Sequence, residues 1–519
     1  MKTVVFILAS ILLIGCKEKT PKTEFLGMVN LEVSGSSKAV SQFERGLLLL
    51  HSFEYEDARE AFGKAQEMDS QMPMAIWGEA MTHNHSLWAE QDYEEGVEVL
   101  KKLEVIDLEK NATELERDFI GAVRILFKPK TEKQERDVAY ASFMEGLSKK
   151  YPDNHEVAAF YALSLLGSVP DGRDDDLYGK GAKIALGILA ENPNHPGALH
   201  YTIHSYDDPK HAAFALEAAN AYAKVAPDAS HALHMPSHIY VAMGMWDRVV
   251  ASNIDSYQAS LNRMERKELD NDSRGYHAYH WLEYGYLQQD NRAEAKKMVL
   301  DMQRYMNETP SARARVHMVF LKGTYLTETD EWKSEVADIP VEIADLNISV
   351  RSQYYFLEGM KGFMAKDTVQ MDSIIAVMET DINREVYVQE FSSTTLCSNA
   401  TRAEAAPSDI VTSKARQQQL MALREDLAAR HVTAEEHLLK SIELQESVSY
   451  SYGPPSIQKP TRELYADWLI AMGRYKEAEV QYGLAEKAGP KRRLIKEGME
   501  TASRFLNNEG SETSMVHSP

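Results

Sequence analysis

The chain has 519 residues, 44% of them hydrophobic, with no Pro/Gly-rich linker to divide it into separate globules, and is long for one compact core. A formal net charge of −22 excludes a nucleic-acid partner, whose phosphates need a basic surface. Two cysteines exclude a disulfide framework and a cysteine-rich zinc site.

Met1-Lys2 is a short basic start, Val4–Ile14 is an apolar run, and Leu13-Ile14-Gly15-Cys16 follows. The run is too short to remain in a bilayer as a spanning helix, and no other segment approaches the eighteen apolar residues that one needs. The stretch resembles a bacterial lipoprotein signal peptide with its lipobox. That resemblance implies removal of residues 1–15, acylation of Cys16 (palmitate among the chains), and a place in the bacterial cell envelope on the periplasmic or surface side. Residues 16–40, polar and Ser/Gly-bearing, then read as a flexible tether from the lipidated Cys16.

Residues 41–505 carry helical periodicity almost without relief, which predicts an all-α solenoid of antiparallel hairpins, each burying surface against its neighbours. The clearest units are 41–73, 196–262, 276–305 and 459–490. In the first, Tyr55, Ala58, Phe62 and Ala65 recur on one face of a second helix. Residues 90–150 are helical in composition with an unclear register. Pro193 and Pro227 lie 34 apart and end successive second helices, and Gly244-Met245-Trp246 marks a hairpin turn. Asp208-Pro209 supplies an N-cap and first-turn proline for Lys210–Val225. About twelve polar residues, Arg263–Ser273, are inserted before the His277–Gln288 helix, and a degraded unit around Arg315–Val336 includes Trp332. Residues 338–415 break the periodicity, with Cys397 among them. The last unit has Gly473 at its turn and Ala478, Tyr482 and Ala485 on its second helix, and residues 506–519 read as a disordered tail.

Histidines crowd residues 196–284. His200 and His204 are four apart, as are His234 and His238, so each pair projects from one helix face. The second pair follows the first by 34 residues, so two stacked repeats set four imidazoles side by side. With His231 these form a candidate metal set, within reach of helices packed roughly 8–10 Å apart. Imidazole nitrogen without thiolate suits a divalent transition metal, Zn, Cu, Ni or Fe. Pro236 lies inside the second pair, and either kinks the helix and re-aims His238 or delays its start and leaves His231 and His234 on a loop. Glu79, Asp207 and Glu463 are candidate general bases.

His200-Tyr201-Thr202-Ile203-His204, His231-Ala232-Leu233-His234-Met235-Pro236-Ser237-His238-Ile239-Tyr240 and the Gly453-Pro454-Pro455, Lys459-Pro460, Glu463 run resemble a bacterial family of tetratricopeptide-repeat proteins, distantly similar to the eukaryotic tetratricopeptide-repeat protein 38. The resemblance covers roughly residues 41–502 and implies an all-α solenoid, with no activity attached. It also implies a concave groove lined by the first helices, which adds His83, His277, His280 and Asp467 to the groove, with His51 near the same repeat position as His83. The sequence thus leads to a membrane-anchored protein whose groove binds a peptide, a protein partner or a metal ion. The alternative is a His-ligated metalloenzyme, hydrolytic or oxidative, with its site in that groove.

Overall fold

The computed structural model describes residues 24–88, 90–391 and 405–515; the expected signal segment, Cys16 and Cys397 lie outside them. Helices α1 (Ser37–His51) and α2 (Tyr55–Met68) form the first hairpin. Helix α3 (Pro73–Met81) passes through a ribbon, Asn84–His85 paired antiparallel with Glu90–Gln91, into α4 (Tyr93–Lys101). The one-turn α5 (Leu108–Asn111) precedes α6 (Glu114–Leu126) and α7 (Lys133–Lys150), then α8 (His155–Gly167) and α9 (Asp175–Glu191). The histidine-bearing hairpins come next. They are α10 (Pro196–Ser205) with α11 (Leu216–Val225), the broken helix α12 (Ser230–His234) and α13 (Pro236–Ala242) with α14 (Trp246–Lys267), and α15 (Tyr276–Gln288) with α16 (Arg292–Glu308). Helix α17 (Ala312–Thr329) is followed by a 3-10 turn in place of a second helix. The array ends with α18 (Ile348–Ala365) and α19 (Thr368–Phe391), α20 (Pro407–Leu427) and α21 (His431–Ser447), α22 (Thr461–Ala471) and α23 (Tyr475–Ala488), and α24 (Arg493–Met515). This is an all-α, tetratricopeptide-like solenoid, and the small ribbon is the one sheet among the described residues.

Small residues set the helix spacing. Ala58, Ala61 and Ala65 are fully buried on α2, and the Phe62 ring between them fills the space left by Gly46 on α1 and Gly78 on α3. A Cβ at those glycines would stand 2.7 and 2.3 Å from that ring. Fully burying one such side chain contributes about 1.5–3 kcal/mol.

Several boundaries differ from those read in the sequence. From residue 24 the expected tether is a packed strap. Phe25 donates its backbone N–H to Asp228 (2.8 Å), Met28 to the Asn194 carbonyl (2.9 Å), and Ser34 donates through both N–H and hydroxyl to Glu116 (2.6 and 2.8 Å). The expected insertion is partly helix, because α14 continues to Lys267. That extension carries Arg263 and Lys267 onto Asp57 of α2, at 2.6 and 2.7 Å, a long-range pair invisible to local periodicity. Asp208 caps locally, accepting from the N–H groups of Lys210 and His211, but the chain then makes a 3-10 turn and α11 starts only at Leu216. Residues 348–365, 368–391 and 407–427 are regular helix despite their broken pattern, and α24 runs on through Met515, where a tail is expected from residue 506.

The C-terminal third folds back onto the histidine hairpins. Arg492, 2% exposed, pairs with Glu463 (2.9 Å) and Glu328 (2.7 Å) and donates to the Tyr284 hydroxyl (2.9 Å). Next to it, Trp246 donates its indole N–H to the Lys491 carbonyl at 2.8 Å. A buried ion pair is costly to break from one side, because the remaining charge stays in low dielectric. Replacing Arg492 with Met strands two carboxylates and is expected to cost about 3–5 kcal/mol. Urea titration of the variant should show a clearly lower midpoint, and an unchanged midpoint would mean that this closure contributes no stability.

Candidate metal centre

The site grows from the first helices of two successive hairpins. In α10, Pro196 occupies the first turn, where its missing N–H is harmless, and the His195 ring caps the helix by accepting from the Ala198 N–H at 3.1 Å. The helix then presents His200 and His204 on one face. In the next hairpin Pro236 does break the helix, but it does so as the first residue of α13, with Met235 still in helical conformation. His234 and His238 therefore keep their shared face, and His231 stays helical rather than on a loop.

Five imidazoles close into a ring. Centroids run His200–His204 4.9 Å, His204–His238 5.3 Å, His238–His234 5.1 Å, His234–His231 6.1 Å and His231–His200 5.0 Å. His277 joins from α15, with its ring 4.6 Å from His234. Two triads stand out, His200 with His204 and His231, and His234 with His238 and His277. In each, one ring nitrogen from every member lies within 4.8 Å of the others. An ion bonded at roughly 2.0–2.1 Å in tetrahedral geometry holds its nitrogens about 3.3 Å apart, so each triad closes on an ion by shifts of an ångström or so.

The hydrogen bonds fix the tautomers. His200 Nδ1 lies 2.8 Å from the His51 carbonyl, which can only accept, so Nδ1 carries the proton and Nε2 is bare. His204 Nδ1 and His238 Nδ1 both donate to the same oxygen of Asp207, at 3.1 and 3.3 Å, and Arg173 stands 3.5 Å from the other oxygen. His234 Nδ1 donates to the Asn253 side-chain oxygen at 2.7 Å, and the Asn253 amide N–H, bound to the Val249 carbonyl at 2.8 Å, forbids the flipped amide. Oxygen acceptors on the far ring nitrogen are the usual support of metal-bound histidine. They turn four Nε2 lone pairs inward.

The consequence is sharpest at His234 and His238. Their Nε2 atoms face each other at 3.2 Å, and neither ring has a second hydrogen to place between them. His200 and His231 repeat the 3.2 Å approach, although there His231 is free to donate. The Nε2 of His204 is buried with no partner. Two facing lone pairs repel unless a cation, a proton or a metal ion, sits between them. A proton is disfavoured. Burial, outweighing the Asn253 bond, brings His234 down to about 4, and burial with the neighbouring rings holds His238 and His200 well below the ordinary imidazole value.

A second buried cluster shows the contrast. Glu156 takes His51 Nε2 at 2.7 Å and His195 Nε2 at 3.1 Å, while His51 Nδ1 meets the Tyr201 hydroxyl (2.8 Å) and His195 Nδ1 accepts the Ala198 N–H. Burial alone would raise the Glu156 carboxyl, but the two imidazoles bring it below its ordinary value. Every ring nitrogen there is satisfied, so this cluster is a structural latch between α1, α8 and α10. Neither Glu156 nor His195 stood out in the sequence, because neither shares the four-residue spacing.

The other nominated residues divide. Asp207 sits at the cluster, bonded to two of its rings. Glu79 is engaged by Lys102 (2.6 Å) and Gln66 (2.7 Å), and Glu463 by Arg492. Asp467 bonds Tyr482 and Lys459, His83 bonds Asp92 at 3.3 Å, and His280 turns to Thr324 at 2.9 Å. On α15 it is Trp281, one turn after His277, that stacks on His238 at 4.5 Å. The groove is also covered at this point. Tyr452 lies 4.9 Å from His238, and Gly453 (φ +98°) passes so close to Trp281 that a Cβ would meet the ring at 2.2 Å. The covering segment is held by Gln458 on the Phe320 carbonyl (2.8 Å) and Gln419 on the Lys459 carbonyl (2.7 Å). Tyr452 thus covers His204 and His238, which are buried together with His200.

No family model matches the sequence and no curated protein is similar to it. Among solved structures, yeast Tom70 aligns at 10% identity over 91% of this chain and 96% of its own, with a TM-score of 0.31. The human IFIT1 dimer with m7Gppp-AAAA aligns at 13% identity over 92% and 96%, with a TM-score of 0.37. The P58(IPK) TPR domain aligns at 13% identity over 91% and 99%, with a TM-score of 0.21. Likenesses at these TM-scores carry no argument about function.

The pH dependence of the metal-free protein follows from His234. Its folded value near 4 lies below the ordinary 6.5, so the unfolded chain takes up the proton first as pH falls. The stability is fully present above pH 6.5 and is lost on descending toward pH 4, by roughly 3 kcal/mol for this ring alone. Urea titrations of metal-free protein at pH 7.5 and 4.5 should show the loss, and His234→Gln should lessen it. Equal stability at both pH values would refute the buried neutral rings.

Proposed function

We propose that this protein is a transition-metal-binding solenoid of the bacterial cell envelope, holding its ions in the buried histidine cluster and tethered to the membrane by acylated Cys16. The observation that carries the metal reading is the His234–His238 pair, two hydrogen-free Nε2 atoms 3.2 Å apart in a buried site. That separation is close to the edge of a coordination tetrahedron with metal–nitrogen bonds of roughly 2.0–2.1 Å. A donor set of imidazoles without thiolate suits zinc, copper, nickel or iron, and not calcium or magnesium, which take oxygen. The flanking rings of Trp281, Tyr452 and Phe53 exclude water and favour bound metal over hydrated ion.

Binding fits better than hydrolysis. Of the three carboxylates nominated as bases, Glu79 and Glu463 are engaged by cations and Asp207 is committed to two ring N–H groups. A hydrolytic centre at this cluster is left without its base. A peptide ligand at the same rings would have to displace the Tyr452–Pro455 cover. The envelope assignment rests on the lipobox-like Leu13–Cys16.

Two experiments test the reading. Elemental analysis of protein purified without a His tag should find a transition metal bound. The double variant His204→Ala/His238→Ala should abolish it while the far-ultraviolet dichroism stays helical, since these rings bridge helices and contribute little to the hydrophobic core. Metal-free wild type that also fails to take up zinc, copper, nickel or iron would end the proposal. For the anchor, Cys16→Ser should move the protein from the membrane to the soluble fraction. Continued membrane association would show that something other than acylation holds it.

A further inference from the structure

The cluster is larger than one ion needs. Four imidazoles saturate a tetrahedral ion, yet six rings line this site, and they divide into two triads contributed by different parts of the fold. His200 and His204 come from α10 with His231 from the start of α12. His234 and His238 come from the α12–α13 break with His277 from α15. Each triad contains one close Nε2–Nε2 approach at 3.2 Å, His200–His231 in the first and His234–His238 in the second, and each has one ring nearer the surface than its other two. The rings nearer the surface are His231, half-buried, and His277, exposed. The triads adjoin at His204 and His238, where the one carboxylate, Asp207, supports a ring of each through its Nδ1.

We propose that the site holds two metal ions, one in each triad, with Asp207 positioning a ligand of each without binding either. This rests on the metal-binding reading above. The charge balance selects the ion. Six neutral imidazoles add no negative charge, and Asp207 already faces Arg173 at 3.5 Å. Two divalent ions would repel each other four times as strongly as two monovalent ones at the same separation, in a low-dielectric site with little anionic compensation. Among the metals that imidazole binds well, copper alone is commonly monovalent. The pair is therefore a cuprous pair.

The test is an anaerobic titration of the full chain with Cu(I) against a competing colorimetric chelator, alongside a Zn(II) titration. Wild type should take two equivalents of Cu(I) and only one of Zn(II) tightly. His231→Gln and His277→Gln each alter a ring at the open edge of one triad, so folding is spared; each should retain one Cu(I), and the double variant none. Wild type saturating at one equivalent, or either single variant losing all bound copper, would overturn the two-ion centre and leave metal binding intact. Two equally tight Zn(II) would overturn the cuprous assignment. A wild type that binds neither ion would remove the metal-binding reading itself.

Discussion

A buried imidazole must place two ring nitrogens, one donor and one acceptor, and in four of the cluster's rings, those of His200, His204, His234 and His238, protein oxygen meets only Nδ1. The His51 carbonyl, the Asp207 carboxylate and the Asn253 amide take the Nδ1 protons, and the Nε2 lone pairs are left facing inward. Much of the surrounding fold serves this arrangement. Arg173 backs Asp207, the Val249 carbonyl orients Asn253, and α1 is brought against α10 closely enough that a Cβ on Gly197 would meet the His51 ring at 2.4 Å. A cluster meant only for stability would close its hydrogen bonds, as His51, Glu156 and His195 do a few residues away.

The solenoid supplies what a compact domain would have to build otherwise. Repetition brings the same first-helix positions into line, so a pair of histidines in one hairpin meets its counterpart in the next without long loops. The C-terminal third then folds back over them. Arg492 locks between Glu328, Glu463 and Tyr284, and the segment from Tyr452 to Lys459 lies across the rings. Openness, the usual asset of a helical groove, is given up here in favour of a dry interior.

The architecture was legible because it is periodic. Pro193 and Pro227 mark the ends of α9 and α11, and Gly244 and Gly473, at φ +62° and +72°, stand at the hairpin turns. Four of the cluster's histidines followed from spacings of four and 34. What stayed hidden depends on contacts distant in sequence. The partnership of His51 with Glu156 spans 105 residues, the strap before α1 is fixed by Asp228 and Asn194, and the tip of α14 reaches Asp57 more than 200 residues away. His280 was placed in the groove and Trp281 was not, because a one-residue error in helical phase rotates a side chain by about 100°. Pro236 could be read either as a kink or as a late start. The structure reconciles the two by starting a new helix at the proline while preserving the face.

The central claim is that imidazole nitrogen, gathered by stacked repeats, holds the metal. X-ray absorption at the K-edge of the metal found in the protein tests it directly. The account predicts a shell of three or four nitrogens near 2.0 Å with the outer-shell scattering of imidazole rings and no sulfur. A shell made mainly of oxygen, or one containing sulfur, would contradict it.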